Sequence, residues 1–258
     1  MYTSDQLGLL ITTCQHYFTN IPNVIKNIED CNFPKENVLI VSGQETTNSI
    51  CYENGIKIVK VDYTGLHLTG VVYLSENMDS FNHINYWIIL PDTIKLEKSF
   101  YGNILKYYNE HLVNVNTKTK ISRVILPFVN PSLRPTMDMG IVHISHIYNM
   151  SDYLKKIKKA HPYNVGDILR LKNQLIYDEN IILGLPAAGS HKLTTRFGYM
   201  NRSIMVPTKF ITNHRRELIE KRINVNDKLV NEVYFVNLGM YKYQRNFSGP
   251  RVKLVIEL

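Results

Sequence analysis

Short apolar runs recur through the first ninety residues, and between them the apolar positions switch to helical spacing. GLLITTC (8–14), NVLIVSG (37–43), IKIVKVD (56–62) and NYWIIL (85–90) read as strands. TNIPNVIKNIEDCNF (19–33) sets Ile21, Val24, Ile25, Ile28 and Cys31 at helical spacing behind a polar cap and an early proline, and GVVYLSENMDSFNHI (70–84) predicts a second helix. Few folds satisfy such an alternation. The leading one is an α/β architecture with a mostly parallel central sheet flanked by helices.

The rest of the chain is less regular. A helix is predicted over 97–112, then a polar link, VNTKTK, and a strand ISRVILPFV (121–129). A proline-containing loop leads to a strand, MGIVHI, and a basic amphipathic helix, SDYLKKIKKA; later, ENIILGLP predicts one more strand and HRRELIEKRINVNDKLVNEVYF a helical segment or two. No repeat, low-complexity tract or linker interrupts the sequence, so residues 1–258 are read as one domain with an irregular C-terminal half.

At 258 residues, 44% hydrophobic and 20% charged, the chain can bury a full core. No apolar run approaches the roughly 18–20 residues of a membrane helix, and no basic segment precedes the first apolar stretch, so neither an anchor nor a signal peptide is expected, and the reading is cytoplasmic. Cys14, Cys31 and Cys51 are odd in number and lack metal spacing, which fits packing roles in a reducing compartment. Charge is unevenly spread. Residues 1–150 carry 11 Lys and Arg against 13 Asp and Glu, whereas residues 151–258 carry 19 against 9, so the second part is where an anion would be held.

In open α/β sheets, ligands sit outside the carboxyl ends of the strands. The polar residues there are Thr12 and Thr13, then Ser42, Gly43, Gln44 and Glu45, then Asp62, and last Asp92 in NYWIILPDTIKLEKSF. The GQETTNS loop has neither the GxGxxG spacing of a dinucleotide fold nor that of a phosphate loop. For Asp92 two readings compete. Pro-Asp is common turn chemistry, and a carboxylate at a strand's carboxyl end is a preferred site position.

The alternating first part, the strand ending in an acid as YWIILPDTIKL, the later Met139 to Val142 strand and the Tyr241-Lys242-Tyr243 stretch together resemble a nucleotide-sugar glycosyltransferase of the GT-A fold. The pattern covers roughly the first 145 residues, with short echoes after that. The resemblance implies a nucleotide-binding half over 1–115 and a half for acceptor and diphosphate over 116–258. It implies transfer of a hexose from a nucleotide diphosphate sugar, a uridine one, to a hydroxyl of a glycan, lipid or protein.

Such a donor leaves as an anion whose charge must be stabilised. Families of this fold usually hold Mn²⁺ or Mg²⁺ on an Asp-x-Asp motif, but here Leu90 and Ile94 flank Asp92 at the two-residue spacings, so one acid stands where two are usual. A metal reading takes Asp92 with a later histidine, His191 or else His214; a metal-free reading takes Lys192, Arg196, Arg202 or Arg245 as the counter-charge. Thr12, Thr13, Gln44, Asp62, Asp92, Lys192 and Arg196 are the nucleotide-sugar contacts this implies, and Asp138 the general base of an inverting reaction. Two other classes remain open: a domain that binds a sugar nucleotide or glycan without turnover, and a nucleic-acid-binding protein built on the basic second half.

Overall fold

A computed structural model describes residues 7–109, 123–124, 139–158, 218–225, 228–235 and 238–245. Its main sheet has seven strands in the order β3-β4-β2-β1-β5-β8-β7, namely Ser49–Glu53, Ile56–Lys60, Val38–Gly43, Leu7–Cys14, Tyr86–Pro91, Gly140–His143 and Arg123–Val124. β4, β2, β1 and β5 run parallel, as the alternation predicts. At the flanks the sheet departs from that pattern and turns antiparallel. β3 folds back on β4, and β8 runs against β5 with β7 against β8.

The central strands lie between two apolar layers. On one face, Leu9, Ile11, Ile40, Ile58 and Ile88 pack against α1 (Ile21–Asp30) and α3 (Phe100–Tyr107). On the other, Leu10, Leu39, Val41, Val59, Trp87 and Ile89 pack against α2 (Thr69–Glu76), with α4 (Ile144–Asn149) and α5 (Ser151–Ile157) adding Ile147, Leu154 and Ile157. Burial on both faces explains the strands' continuous apolar character.

One close approach constrains this core. Gly8 pairs with Trp87, and a β-carbon on Gly8 would lie 2.7 Å from the Trp87 ring and 2.9 Å from Ile84. Trp87 is fully buried and meets Phe81 edge to face at 5.3 Å. Gly8→Ala is therefore expected to cost about 1–3 kcal/mol, lowering the urea midpoint with the slope unchanged. An unchanged midpoint would contradict this packing.

Two predicted helices differ. The segment 70–84 stops being α-helical at Glu76, because the Asn77 side chain donates to the Tyr73 carbonyl at 2.8 Å and the chain tightens into a 3-10 turn, Met78–Phe81. The sequence of 214–235 predicts helix, but its described part forms two antiparallel strands, β9 (Leu218–Val225) and β10 (Lys228–Phe235). Their β-branched and aromatic residues, Ile219, Ile223, Val225, Val230, Val233, Tyr234 and Phe235, suit strands.

β10 continues to β11 (Met240–Arg245), which pairs with β6 (Ile94–Leu96), so a second sheet runs β6-β11-β10-β9. Ile94, Leu96, Phe235 and Met240 from this sheet join the α1 face of the core. The remaining element readings fall close to their places: 19–33 on α1, 97–112 on α3, MGIVHI on β8 and SDYLKKIKKA on α5. Of 121–129 only β7 is described, and ENIILGLP lies outside the described residues. The three cysteines are free thiols. Among the described residues, no helix is long and apolar enough to cross a membrane.

Candidate functional site

The site is assembled by register. Thr12 pairs with Pro91 and Thr13 with Ser42, so the end of β1 is level with Asp92 on one side and the end of β2 on the other. The Thr13 hydroxyl donates to Asp92 Oδ2 at 2.5 Å. β6 then carries the chain directly from Asp92 into the second sheet, where Ile94 pairs with Lys242. That pairing brings the Lys242 ammonium to the Thr93 hydroxyl at 2.6 Å, close enough for its charge to act on Asp92.

Asp92 and Lys242 are only 7% and 6% exposed. Burial pushes the Asp92 carboxyl up from an ordinary 3.8 to about 6, and the Thr13 hydrogen bond and the Lys242 charge oppose that rise. An unfolded aspartate loses its proton near 3.8, so between about pH 4 and 6 the folded chain retains a proton that the unfolded chain has released. Stability therefore falls as pH rises through that window. Thr13→Val removes a group that favours the ionised form, so the upper edge of the window is expected to move to higher pH in pH-dependent denaturation; an unmoved edge would contradict the hydrogen bond's role.

Around this pair lie further polar groups. Cys14 is half-buried, and its thiol is raised by burial first, with Asp92 and Glu45 adding to the rise. It is a neutral thiol near pH 7, poorly suited to act as a nucleophile. Ser42 donates to Glu45 Oε1 at 2.5 Å, and Gln44, in the left-handed region at φ 59°, donates its backbone N–H to the Tyr63 carbonyl at 2.8 Å.

The predicted residues do not all converge. Successive strand residues point to opposite faces, so Thr13 reaches Asp92 whereas Thr12 turns toward α2, where its hydroxyl fits against Gly70. Gln44 sits at the carboxyl edge with its side-chain amide nitrogen buried. Asp62 follows β4, three strand spacings or about 14 Å from β5, and its backbone N–H is held by Asn48 Oδ1 at 2.9 Å. Lys158, from the predicted basic helix, is occupied structurally: it bonds Glu76 at 2.9 and 3.0 Å over the Tyr63 ring. Asp138, His191, Lys192, Arg196, Arg202 and His214 lie outside the described residues, as does the side chain of Arg245.

Lys242 and Thr93 are the site residues that sequence reasoning did not assign. Lys242 stood only as part of the Tyr-Lys-Tyr echo. A lysine set between two tyrosines in a short stretch, MYKYQR, is the available local signal.

A divalent cation needs several hard ligands together. Among the described residues, no group of three His, Cys, Asp or Glu side chains is placed to hold one. Among the described residues, the charged group acting on Asp92 is the Lys242 ammonium. Here the described residues supply one carboxylate, Asp92, and one ammonium, Lys242; the histidines of the metal reading, His191 and His214, lie outside the described residues. No protein-family model matches the chain, and no curated protein matches it in sequence.

Proposed function

We propose that the chain is a nucleotide-sugar glycosyltransferase of the GT-A type, transferring a hexose from a uridine diphosphate sugar to a hydroxyl of a glycan, lipid or protein. The observation that carries this reading is the buried Thr13–Asp92 pair at the carboxyl ends of two adjacent central parallel strands, with Lys242 delivered beside it from the second sheet. An alternating first half and a mixed second half joined at one acid is the organisation that the resemblance implies.

The residues divide the work by charge. The ionised Asp92 accepts hydrogen bonds from hydroxyls of the donor's ribose or sugar, while Thr13 holds one of its oxygens in place. Lys242 supplies positive charge to the departing diphosphate, and low exposure strengthens that attraction relative to water. Binding and leaving-group stabilisation thus rest on side chains that the fold already holds.

The experiment is release of uridine diphosphate from a panel of uridine diphosphate hexoses, with Mn²⁺ or with EDTA. Turnover is expected, and EDTA is expected to leave most of it, less than about a three-fold loss. Binding without turnover would favour an inert sugar-nucleotide or glycan-binding domain. Absence of binding to any nucleoside diphosphate, together with salt-sensitive oligonucleotide binding, would replace the proposal with a nucleic-acid function carried by the basic second half.

A further inference from the structure

Among the described residues β3 is the outer strand of the main sheet, and all five of its residues are exposed, Ile50 at 56% and Tyr52 at 69%. Its sequence, SICYE, contains neither the proline nor the lysine that commonly protects an edge. The two-residue turn of Asn54 (φ 52°) and Gly55 (φ 86°) makes Glu53 and Ile56 the hydrogen-bonded closing pair of the hairpin. Hydrogen-bonded and non-hydrogen-bonded pairs alternate along an antiparallel ladder. Ser49, Cys51 and Glu53 therefore direct their backbone groups at β4, while Ile50 and Tyr52 direct theirs outward.

We propose that β3 pairs antiparallel with β3 of a second copy of this chain, about a two-fold axis at Cys51. This register sets Ile50 opposite Tyr52 of the other copy, twice, so that each pair exchanges both its N–H···O=C bonds and all the outward groups of Ile50 and Tyr52 are used. Cys51 then faces Cys51 as a non-hydrogen-bonded pair, where side chains come closest.

Side-chain rows complement one another across that axis. On the α2 face, Tyr52 lies beside Ile50 of the other copy, an aromatic and β-branched pair that stabilises cross-strand contact, and Val59 extends the row. On the α1 face, Glu53 lies opposite Ser49, whose partner within its own hairpin is Lys60. Glu53 and Lys60 of opposite copies are thus two strand spacings apart, about 10 Å between α-carbons, with only a serine between them. No like charges oppose each other. A two-fold contact of this kind closes on itself and yields a dimer, not a fibre.

The paired edge is short, so association is expected to be weak, with a dissociation constant of about 10–100 µM, read by sedimentation equilibrium of the full chain. Ile50→Lys and Tyr52→Lys, both at exposed positions, are each expected to weaken it at least about ten-fold. Glu53→Lys should weaken it too, and adding Lys60→Glu should restore it. Diamide, which takes two electrons and two protons from a pair of thiols, should give a covalent dimer whose bridge maps to Cys51. Cys51→Ser should lose the bridge but keep the reversible dimer. Sedimentation as a monomer up to about 1 mM would overturn the proposal. So would a dimer indifferent to both lysine variants, or a bridge mapping to Cys14. None of these readouts depends on nucleotide binding or turnover.

Discussion

Asp92→Asn is expected to lower kcat/KM for uridine diphosphate hexose cleavage about 100- to 1,000-fold and, at the same time, to raise folding stability at pH 7. Both effects follow from one buried carboxylate. Above pH 6 the wild-type chain holds Asp92 ionised in a site that strips it of water, and the rise from 3.8 to about 6 corresponds to roughly 2–3 kcal/mol of destabilisation. Asparagine keeps an oxygen that accepts the Thr13 hydroxyl and carries no charge, so most of that cost disappears. The falling stability between about pH 4 and 6 should flatten in the variant. Wild-type kcat/KM should rise to a plateau as pH passes about 6, since only the carboxylate accepts two hydroxyl hydrogen bonds. Urea denaturation across pH and initial rates check the two arms separately. A variant that stays active would remove Asp92 from the chemistry, and one that is less stable at pH 7 would contradict its desolvated state.

Lys242→Met is expected to be the second large loss, about 100-fold or more in kcat/KM, chiefly in kcat, because stabilising a departing anion matters most in the transition state. Methionine retains much of the apolar stem and deletes the charge. Removing that charge also takes away one of the groups opposing the rise of the Asp92 carboxyl, so the stability and activity midpoints near pH 6 should both move to higher pH. A rate loss with unmoved midpoints would mean that Lys242 acts without influencing Asp92. Arginine at this position retains the charge on a larger, planar head, so partial recovery in Lys242→Arg would separate loss of charge from loss of shape.

The features of the fold legible in the sequence are those written locally. β1, β2, β4 and β5 announce themselves as apolar runs because their residues are buried on both faces, and the topology of such strands alone places Thr13 and Asp92 at one edge. What sequence could not supply is long-range pairing. β6 is three residues long, IKL, and becomes a strand because β11 pairs with it, from a place far along the chain. Lys242 reaches the site only through that pairing. β9 and β10 carry a helical signal in sequence because LIEKR and NDKLVNE contain strong helix formers, and tertiary pairing overrides that local preference. Thr12 and Thr13, adjacent in sequence and read as equivalent, are separated by the pleat: one meets Asp92 and the other faces α2.

On the proposed function, Thr13, Asp92 and Lys242 form a diphosphate-sugar site. Thermal unfolding of wild type and Lys242→Met with uridine diphosphate in EDTA tests it most directly. At about 100 times its dissociation constant the nucleotide adds about 2.7 kcal/mol, so wild-type Tm should rise by roughly 5–10 °C while the variant gains less than half of that. Equal shifts in both proteins, or none in wild type at millimolar nucleotide, would contradict the account.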